Sequence, residues 1–359
     1  MSESYEPSFS VCIPIYNHGR FISDTIQSVL DQTYQNFEIV IADNASTDDS
    51  VAQIEKFNDP RIKLYRNRYN IGFAPNLQRV TSYATNDYLN LLSSDDQMKP
   101  NTLETYAKAI TSLKERPEYL ILYSDAELFD NDNRVCGYQV KEAGIFDLMT
   151  TSGTTPPALS ARDNQIYKGR DVLADALSRL RTFTPFLSLV YSRTLWQAVE
   201  GYNSVRTIGP DKHFAFKLLS KDPTVVYIPE VLYRYRSYVS DNRAVQYTTL
   251  KQLMDDYLYT LEYTEAELHG LGLSQQQLIR TFIDQLCLKR ALRQLGYGNY
   301  TNALRFFAFA LAAYPAITLR MHKTYMLLPL LLLGPIGKLL GPALLSSYKK
   351  LERVSKAET

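Results

Sequence analysis

The chain has 359 residues, of which 45% are hydrophobic and 21% charged, so a sizeable core can form and disorder throughout is excluded. Lys plus Arg number 39 and Asp plus Glu 38, a net charge of +1 that argues against nucleic acid as the main partner. At this length two or three domains are expected.

The first third of the chain alternates short β-branched runs with amphipathic stretches. Strands are predicted at Phe9–Ile15, Phe37–Asp43, Ile62–Arg66, Tyr88–Leu92 and Tyr119–Phe129. Between them Ile22, Ile26, Val29 and Thr33 recur at helical spacing, as do Leu103, Ala107, Ile110 and Lys114. Such alternation implies an α/β fold, a mostly parallel sheet flanked by helices, with ligand chemistry beyond the carboxyl ends of the strands. Asp130–Asn133 reads as a turn and residues 150–165, rich in Thr, Ser and Pro, as a long loop. From Leu250 the chain reads as helix, and Leu295–Pro315 as a helical hairpin. The expected organisation is one half of the α/β domain over 1–130, a second half over 131–240 and a C-terminal helical region over 241–359; the resemblance described below implies that the first binds the donor and the second the acceptor.

Three predicted strand ends carry polar clusters: Pro14-Ile15-Tyr16-Asn17, Asp43-Asn44-Ala45-Ser46-Thr47-Asp48, and Ser93-Ser94-Asp95-Asp96. Ser46, Thr47 and Asp48 suit the capping of a following helix. The adjacent acids Asp95 and Asp96 repel each other unless a cation lies beside them, and a divalent ion shared with substrate phosphates is the natural solution.

In this order and spacing the clusters resemble the family 2 glycosyltransferases, whose fold is GT-A, and the resemblance covers roughly residues 9–240. It implies that Pro14, Tyr16 and Asn17 belong to a nucleotide-sugar site and that Asp43 meets the nucleotide base. Asn70-Ile71-Gly72 and Asn76 match the family's Asn-x-Gly segment, and Ser94 and Asp95 fall in its donor site. The implied cofactor is Mn²⁺ or Mg²⁺, held by Asp96 and Asp95, with Asp96 ligating the ion that bridges the diphosphate. Inversion at the anomeric carbon and a UDP-sugar donor follow from the family, as does an acceptor hydroxyl on a glycan or lipid carrier in polysaccharide assembly.

The family's acceptor-side acid pair falls on Pro210-Asp211, so the first acid is replaced by proline. Asp211 is the expected general base; its position equally suits a cap on a helix beginning at Lys212. In the family's Tyr-Arg-x-His-x-x-Ser region, Tyr233 to Ser240 here, Arg236 stands in place of histidine. Arg234 and Arg236 are offered to the departing diphosphate, or else form a solvated strand edge. The tyrosines gathered between Tyr227 and Tyr263 are expected mainly to pack.

Residues 303–359 hold eight basic and two acidic side chains, a local +6 against about −5 for the rest. The uncharged stretches Phe306–Leu319 and Thr324–Gly337 are too short to span a bilayer and are interrupted by prolines. Either they pack as core, or they make a peripheral membrane contact through 306–345. Cys12, Cys136 and Cys287 lack metal-ligand spacing, and MSESYEPSFS lacks a secretory pattern, so a cytoplasmic protein at the inner membrane face is expected. The rival functions are a nucleotidyltransferase, which wants a Gly-rich basic loop where Asn17-His18-Gly19-Arg20 offers little, and a non-catalytic sugar-nucleotide binder, which would lack these acids.

Overall fold

The computed structural model describes residues 5–141, 148–155, 163–203, 209–237 and 250–334. It divides into two units, Met1–Ala176 with Arg181–Tyr238, and Leu177–Leu180 with Val239–Thr359.

The first unit begins β1 (Phe9–Ile15), α1 (Gly19–Leu30), β2 (Phe37–Asp43), α2 (Ser50–Ile54), β3 (Ile62–Arg66), α3 (Phe73–Ser82) and β4 (Tyr88–Leu91). Every residue of β1, β2 and β4 is buried, which is why these strands read as continuous apolar runs rather than alternating ones. The helical repeat in α1 is real: Ile22, Ile26 and Val29 are fully buried and join the core beneath the sheet. The short β5 (Gln97–Met98) follows, then α4 (Thr102–Thr111), β6 (Leu120–Phe129), β7 (Val135–Lys141), β8 (Leu148–Ser152), β9 (Gln165–Lys168) and α5 (Gly169–Arg179). The unit is completed by β10 (Val190–Ser192), α6 (Arg193–Ala198), α7 (Pro210–Leu219) and β11 (Thr224–Arg236).

The sheet runs β3-β2-β1-β4-β10-β6-β11-β5, with β7 on β6, β8 on β7 and β9 on β11. The expected parallel pairing holds across β3-β2-β1-β4 and for β6 with β11. The three-residue β10 is wedged antiparallel between β4 and β6, an insertion too short to show as a periodic signal. Because it reverses twice, β6 and β11 run in the direction of β1 and β4, and all their carboxyl ends meet along one edge. This is the mostly parallel sheet flanked by helices that the sequence implied. The turn at 130–133 closes the β6–β7 hairpin, with Asn133 at φ 61° and Asp130 N–H bonded to the carbonyl of Arg134. The loop expected from residue 150 is shortened by β8, which runs to Ser152; residues 156–162 of that loop lie outside the described residues.

The second unit is helical. Its helices are α8 (Leu250–Glu262), α9 (Glu265–Gly270), α10 (Gln275–Thr281), a π-helical turn at Phe282–Leu288, α11 (Lys289–Gly296), α12 (Tyr300–Ala313), α13 (Pro315–Arg320) and α14 (His322–Leu332). Thr264 with Glu267 and Ser274 with Gln277 form reciprocal capping boxes that start α9 and α10. The hairpin read at 295–315 is α11 and α12, turned through Gly298 at φ 72°. Phe306, Phe307 and Ala310 of α12 are buried, whereas Tyr325, Leu328, Leu332 and Leu333 in and after α14 are exposed. Lys323, which lies between the two uncharged stretches, is 4% exposed and paired with Asp284 at 2.5 Å. Among the described residues no helix is long and apolar enough to cross a membrane. Residues 335–359, with the rest of the stretch to Gly337, lie outside the described residues.

Candidate active site

The carboxyl ends of β1, β2 and β4 open into a cavity of about 410 Å³. Pro14 and Tyr16 enter its wall from the end of β1, Asn70, Gly72 and Asn76 from the segment joining β3 to α3, and Ser94 and Asp95 from the turn after β4. Ile15, His18, Asn44, Phe73, Leu91 and Ser93, none of them assigned a role from sequence, complete that wall. Tyr16 and Phe73 are 45% and 60% exposed, two aromatic rings left open at a cavity whose wall also holds the apolar Pro14, Ile15 and Leu91. Their signal was present in the sequence only as neighbours of the motifs.

The turn after β1 is built against the loop after β2. Asn17 has φ 54°, a conformation that asparagine tolerates better than most residues. Its Oδ1 accepts from Thr47 N at 2.8 Å, and its own N–H donates to Ser46 Oγ at 2.9 Å. Asn17 therefore shapes the loop and is not part of the cavity wall. Asp48 bridges both helix starts, accepting from Gly19 N at 2.9 Å and Ser50 N at 3.0 Å, so its capping role is confirmed for α1 as well as α2. A β-carbon on Gly19 would lie 2.0 Å from the Asp49 carboxylate, so the close approach requires glycine. His18 Nδ1 lies 2.8 Å from Ser94 Oγ, tying the start of α1 to the turn after β4.

Asp43 is 1% exposed, and both its carboxylate oxygens accept from Ser46 N, at 3.1 and 3.3 Å. It lies outside the cavity wall, one residue behind Asn44. Asn44 accepts from Asn67 Nδ2 and from Ile71 N, each at 2.9 Å, and donates to Asn70 Oδ1 at 2.8 Å. Asn76 closes the set by accepting from Asn67 at 3.0 Å and donating to the Ala42 carbonyl at 3.0 Å. Four asparagines thus fix the approach to α3, where Gly72 at φ 91° makes the last bend.

The two adjacent acids diverge. Asp95 lies in the cavity wall, whereas Asp96 is 1% exposed and accepts from Arg236 N at 2.8 Å. The sequence reading made Asp96 the cation ligand; its carboxylate is buried and its Oδ1 is bonded to the end of β11. Arg234 and Arg236, read as diphosphate groups, also lie outside the cavity wall. Arg234 donates to Glu127 at 2.7 Å and Gln97 at 2.6 Å, and Arg236 is 2% exposed. Neither forms a solvated edge. Tyr238 and Ser240, the end of that motif, lie outside the described residues.

Asp211 sits in the first turn of α7, after Gly209 as N-cap and Pro210 at the first helical position, where proline is favoured. It is therefore not the N-cap of a helix beginning at Lys212. Burial raises its pKa above the ordinary carboxylate value, opposed by backbone N–H groups at the helix start and by Lys212. Nearby, Tyr202 stacks on Phe214 with ring centroids 3.7 Å apart. Tyr227 and Tyr233 are fully buried and Tyr259 nearly so, in keeping with a packing role.

Among the described residues no three His, Cys, Asp or Glu side chains converge to cage a metal ion. A hard divalent ion bound chiefly by substrate phosphates needs only one or two carboxylates, so Asp95 at the cavity fits such a site.

A family model described as glycosyl transferase family 2 matches residues 10–116. The putative glycosyltransferase EpsE of Bacillus subtilis is 24% identical over 272 residues, 70% of this chain and 86% of that protein. The UDP-Glc:alpha-D-GlcNAc-diphosphoundecaprenol beta-1,3-glucosyltransferase WfgD of Escherichia coli is 33% identical over 126 residues, 35% of this chain and 48% of WfgD. In fold, the crystal structure of S. aureus TarS 1–349 in complex with UDP-GlcNAc aligns with a TM-score of 0.57 at 16% identity, covering 96% of this chain and 92% of that one. Residues 10–116 thus carry a glycosyl transferase family 2 match, and the chain is similar to glycosyltransferases.

Proposed function

We propose that the chain transfers a sugar, with inversion, from a UDP-linked donor to a hydroxyl of a glycan or lipid-linked acceptor. The observation that carries this reading is the cavity itself, in which Tyr16, Asn44, Asn70, Ser94 and Asp95 meet at the carboxyl ends of β1, β2 and β4. Open aromatic rings suit a base, the start of α1 beside Ser94 suits phosphate, and Asp95 suits a cation shared with that phosphate. WfgD is named for a UDP-glucose donor and a diphosphoundecaprenol-linked acceptor, which supports both halves of the proposal.

Asp95 would hold Mn²⁺ or Mg²⁺ against the donor diphosphate. When bound, the ion neutralises charge on the leaving nucleoside diphosphate. Asp211 takes the proton from the attacking hydroxyl, and its raised pKa strengthens it as a base. Asp43 keeps its implied place near the base of the nucleotide by fixing the loop that carries Asn44.

We place the protein at the cytoplasmic face of a membrane. The exposed stripe Tyr325, Leu328 and Leu332, with Leu319 before it, belongs to a region of net +6 and suits an anionic leaflet. A panel of nucleoside-diphosphate sugars, incubated with purified protein and Mn²⁺, tests the reading. Release of free nucleotide from one donor supports it, and release from none refutes it.

A further inference from the structure

Resting on that donor reading, we propose that His18 is a specificity-determining residue, which together with Ser94 reads a ribose hydroxyl of the donor and so separates ribonucleotides from deoxyribonucleotides. Both residues lie in the cavity wall. His18 Nδ1 is 2.8 Å from Ser94 Oγ, a bond between the segment after β1 and the turn after β4. With Ser94 donating to Nδ1, the ring proton sits on Nε2. Nε2 has no partner among the described residues, so the imidazole keeps one N–H for an acceptor on a ligand.

The couple is held from several sides. His18 N–H donates to Ser50 Oγ at 3.0 Å, and its carbonyl accepts from Phe21 N and Ile22 N at 2.9 and 3.1 Å. The Phe21 ring meets the imidazole edge-on, with centroids 6.0 Å apart. Ser94 is buried, inside the turn closed by Asp96 N–H donating to the Ser93 carbonyl at 3.1 Å. Neither group has to be ordered when a ligand arrives, and a hydrogen bond held ready in this way is selective.

Position decides which part of the donor the couple meets. Tyr16, whose ring suits the base, stands two residues before His18, and Asp95, which suits the cation on the diphosphate, directly follows Ser94. In a nucleoside diphosphate the group between base and phosphates is the ribose. The first phosphate hangs from that same sugar, so a phosphate near the start of α1 and a ribose against His18 belong to one pose. A ribose hydroxyl accepts from Nε2, whereas a deoxynucleotide offers only C–H there and leaves the N–H unpaired.

Calorimetry in Mn²⁺ compares UDP with 2′-deoxy-UDP and 3′-deoxy-UDP, alongside the thermal midpoint of each variant. The parent should bind one of the deoxynucleotides about tenfold more weakly than UDP, the cost of one unpaired N–H. His18→Asn can keep the bond to Ser94 but has no group at the Nε2 position, so UDP and that deoxynucleotide should come within about twofold of each other. Ser94→Ala frees the imidazole to turn and should narrow the ratio to about threefold or less. A His18 that serves only the loop would, in His18→Asn, lower all three affinities together and leave the ratio unchanged, which overturns the proposal. A parent that binds UDP and both deoxynucleotides equally also overturns it, a result that needs no variant to fold and leaves the donor reading standing. A parent that binds none of the three refutes the donor reading, and this proposal with it.

Discussion

Asn44 donates through Nδ2 to Asn70 Oδ1 at 2.8 Å, so the loop after β2 carries the loop after β3. The same amide nitrogen reaches the Gly72 carbonyl at 3.2 Å. Asn44→Ala removes both bonds and leaves Ile71 N and Asn67 Nδ2 without their acceptor. Urea unfolding should show a loss of about 1–3 kcal/mol, and UDP affinity should fall with it because Asn70 and Gly72 line the cavity. Unchanged stability and affinity would mean that the loops hold themselves.

Asp211 can accept a proton only when ionised, and burial raises its pKa. The rate of transfer should therefore rise with pH through a midpoint above the ordinary carboxylate range. Asp211→Asn should keep donor affinity and lower the transfer rate about 10²–10⁴-fold, with the pH dependence lost. Parental rates in Asp211→Asn would remove it from the reaction.

Asp125 offers a separate pH test, on stability. It is 1% exposed on β6, accepts from Tyr227 OH at 2.8 Å and Lys141 N at 3.0 Å, and burial pushes its pKa up to about 7. A carboxyl whose pKa is raised on folding stabilises the fold below its unfolded value of about 4, and that contribution is lost as pH rises through 7. Asp125→Asn cannot ionise. Unfolding curves at pH 5 and pH 8 should show the Asn variant gaining on the parent at the higher pH, by on the order of 1–2 kcal/mol. A pH-independent difference would place the titration elsewhere.

The exposed stripe of α14 predicts membrane contact. Leu328→Asp with Leu332→Asp should lower binding to anionic vesicles about tenfold or more and leave nucleotide release from the donor intact. High salt should weaken the parental binding, since part of the attraction comes from basic groups. Sedimentation with vesicles measures both. Equal binding by parent and variant would return the stripe to ordinary surface.

The parts of this account legible in the sequence are those with a short period. The strands β1 and β2 were readable to the residue as apolar runs, β3 as a shorter mixed one, and Ile22, Ile26 and Val29 marked α1 by their spacing. The bond between Asp96 and the backbone of Arg236 was not legible, because the two lie 140 residues apart in sequence. The same distance hid the partners of Arg234, which looks like a free cation in the chain and is bonded to Glu127 and Gln97 in the fold. Phe73 and His18 were passed over because an aromatic or imidazole beside a glycine carries no periodic signature. The burial of Lys323 carries no local signal either, because its partner Asp284 lies 39 residues away in sequence.

The central claim is that a sugar nucleotide is cleaved at the Asp95 cavity with help from a divalent cation. Its most direct test is the rate at which the purified chain releases nucleoside diphosphate from its preferred donor. The account predicts release in Mn²⁺ or Mg²⁺ that stops on addition of EDTA and falls about 10²-fold or more in Asp95→Asn. Release that continues at the parental rate in EDTA and in Asp95→Asn would contradict it.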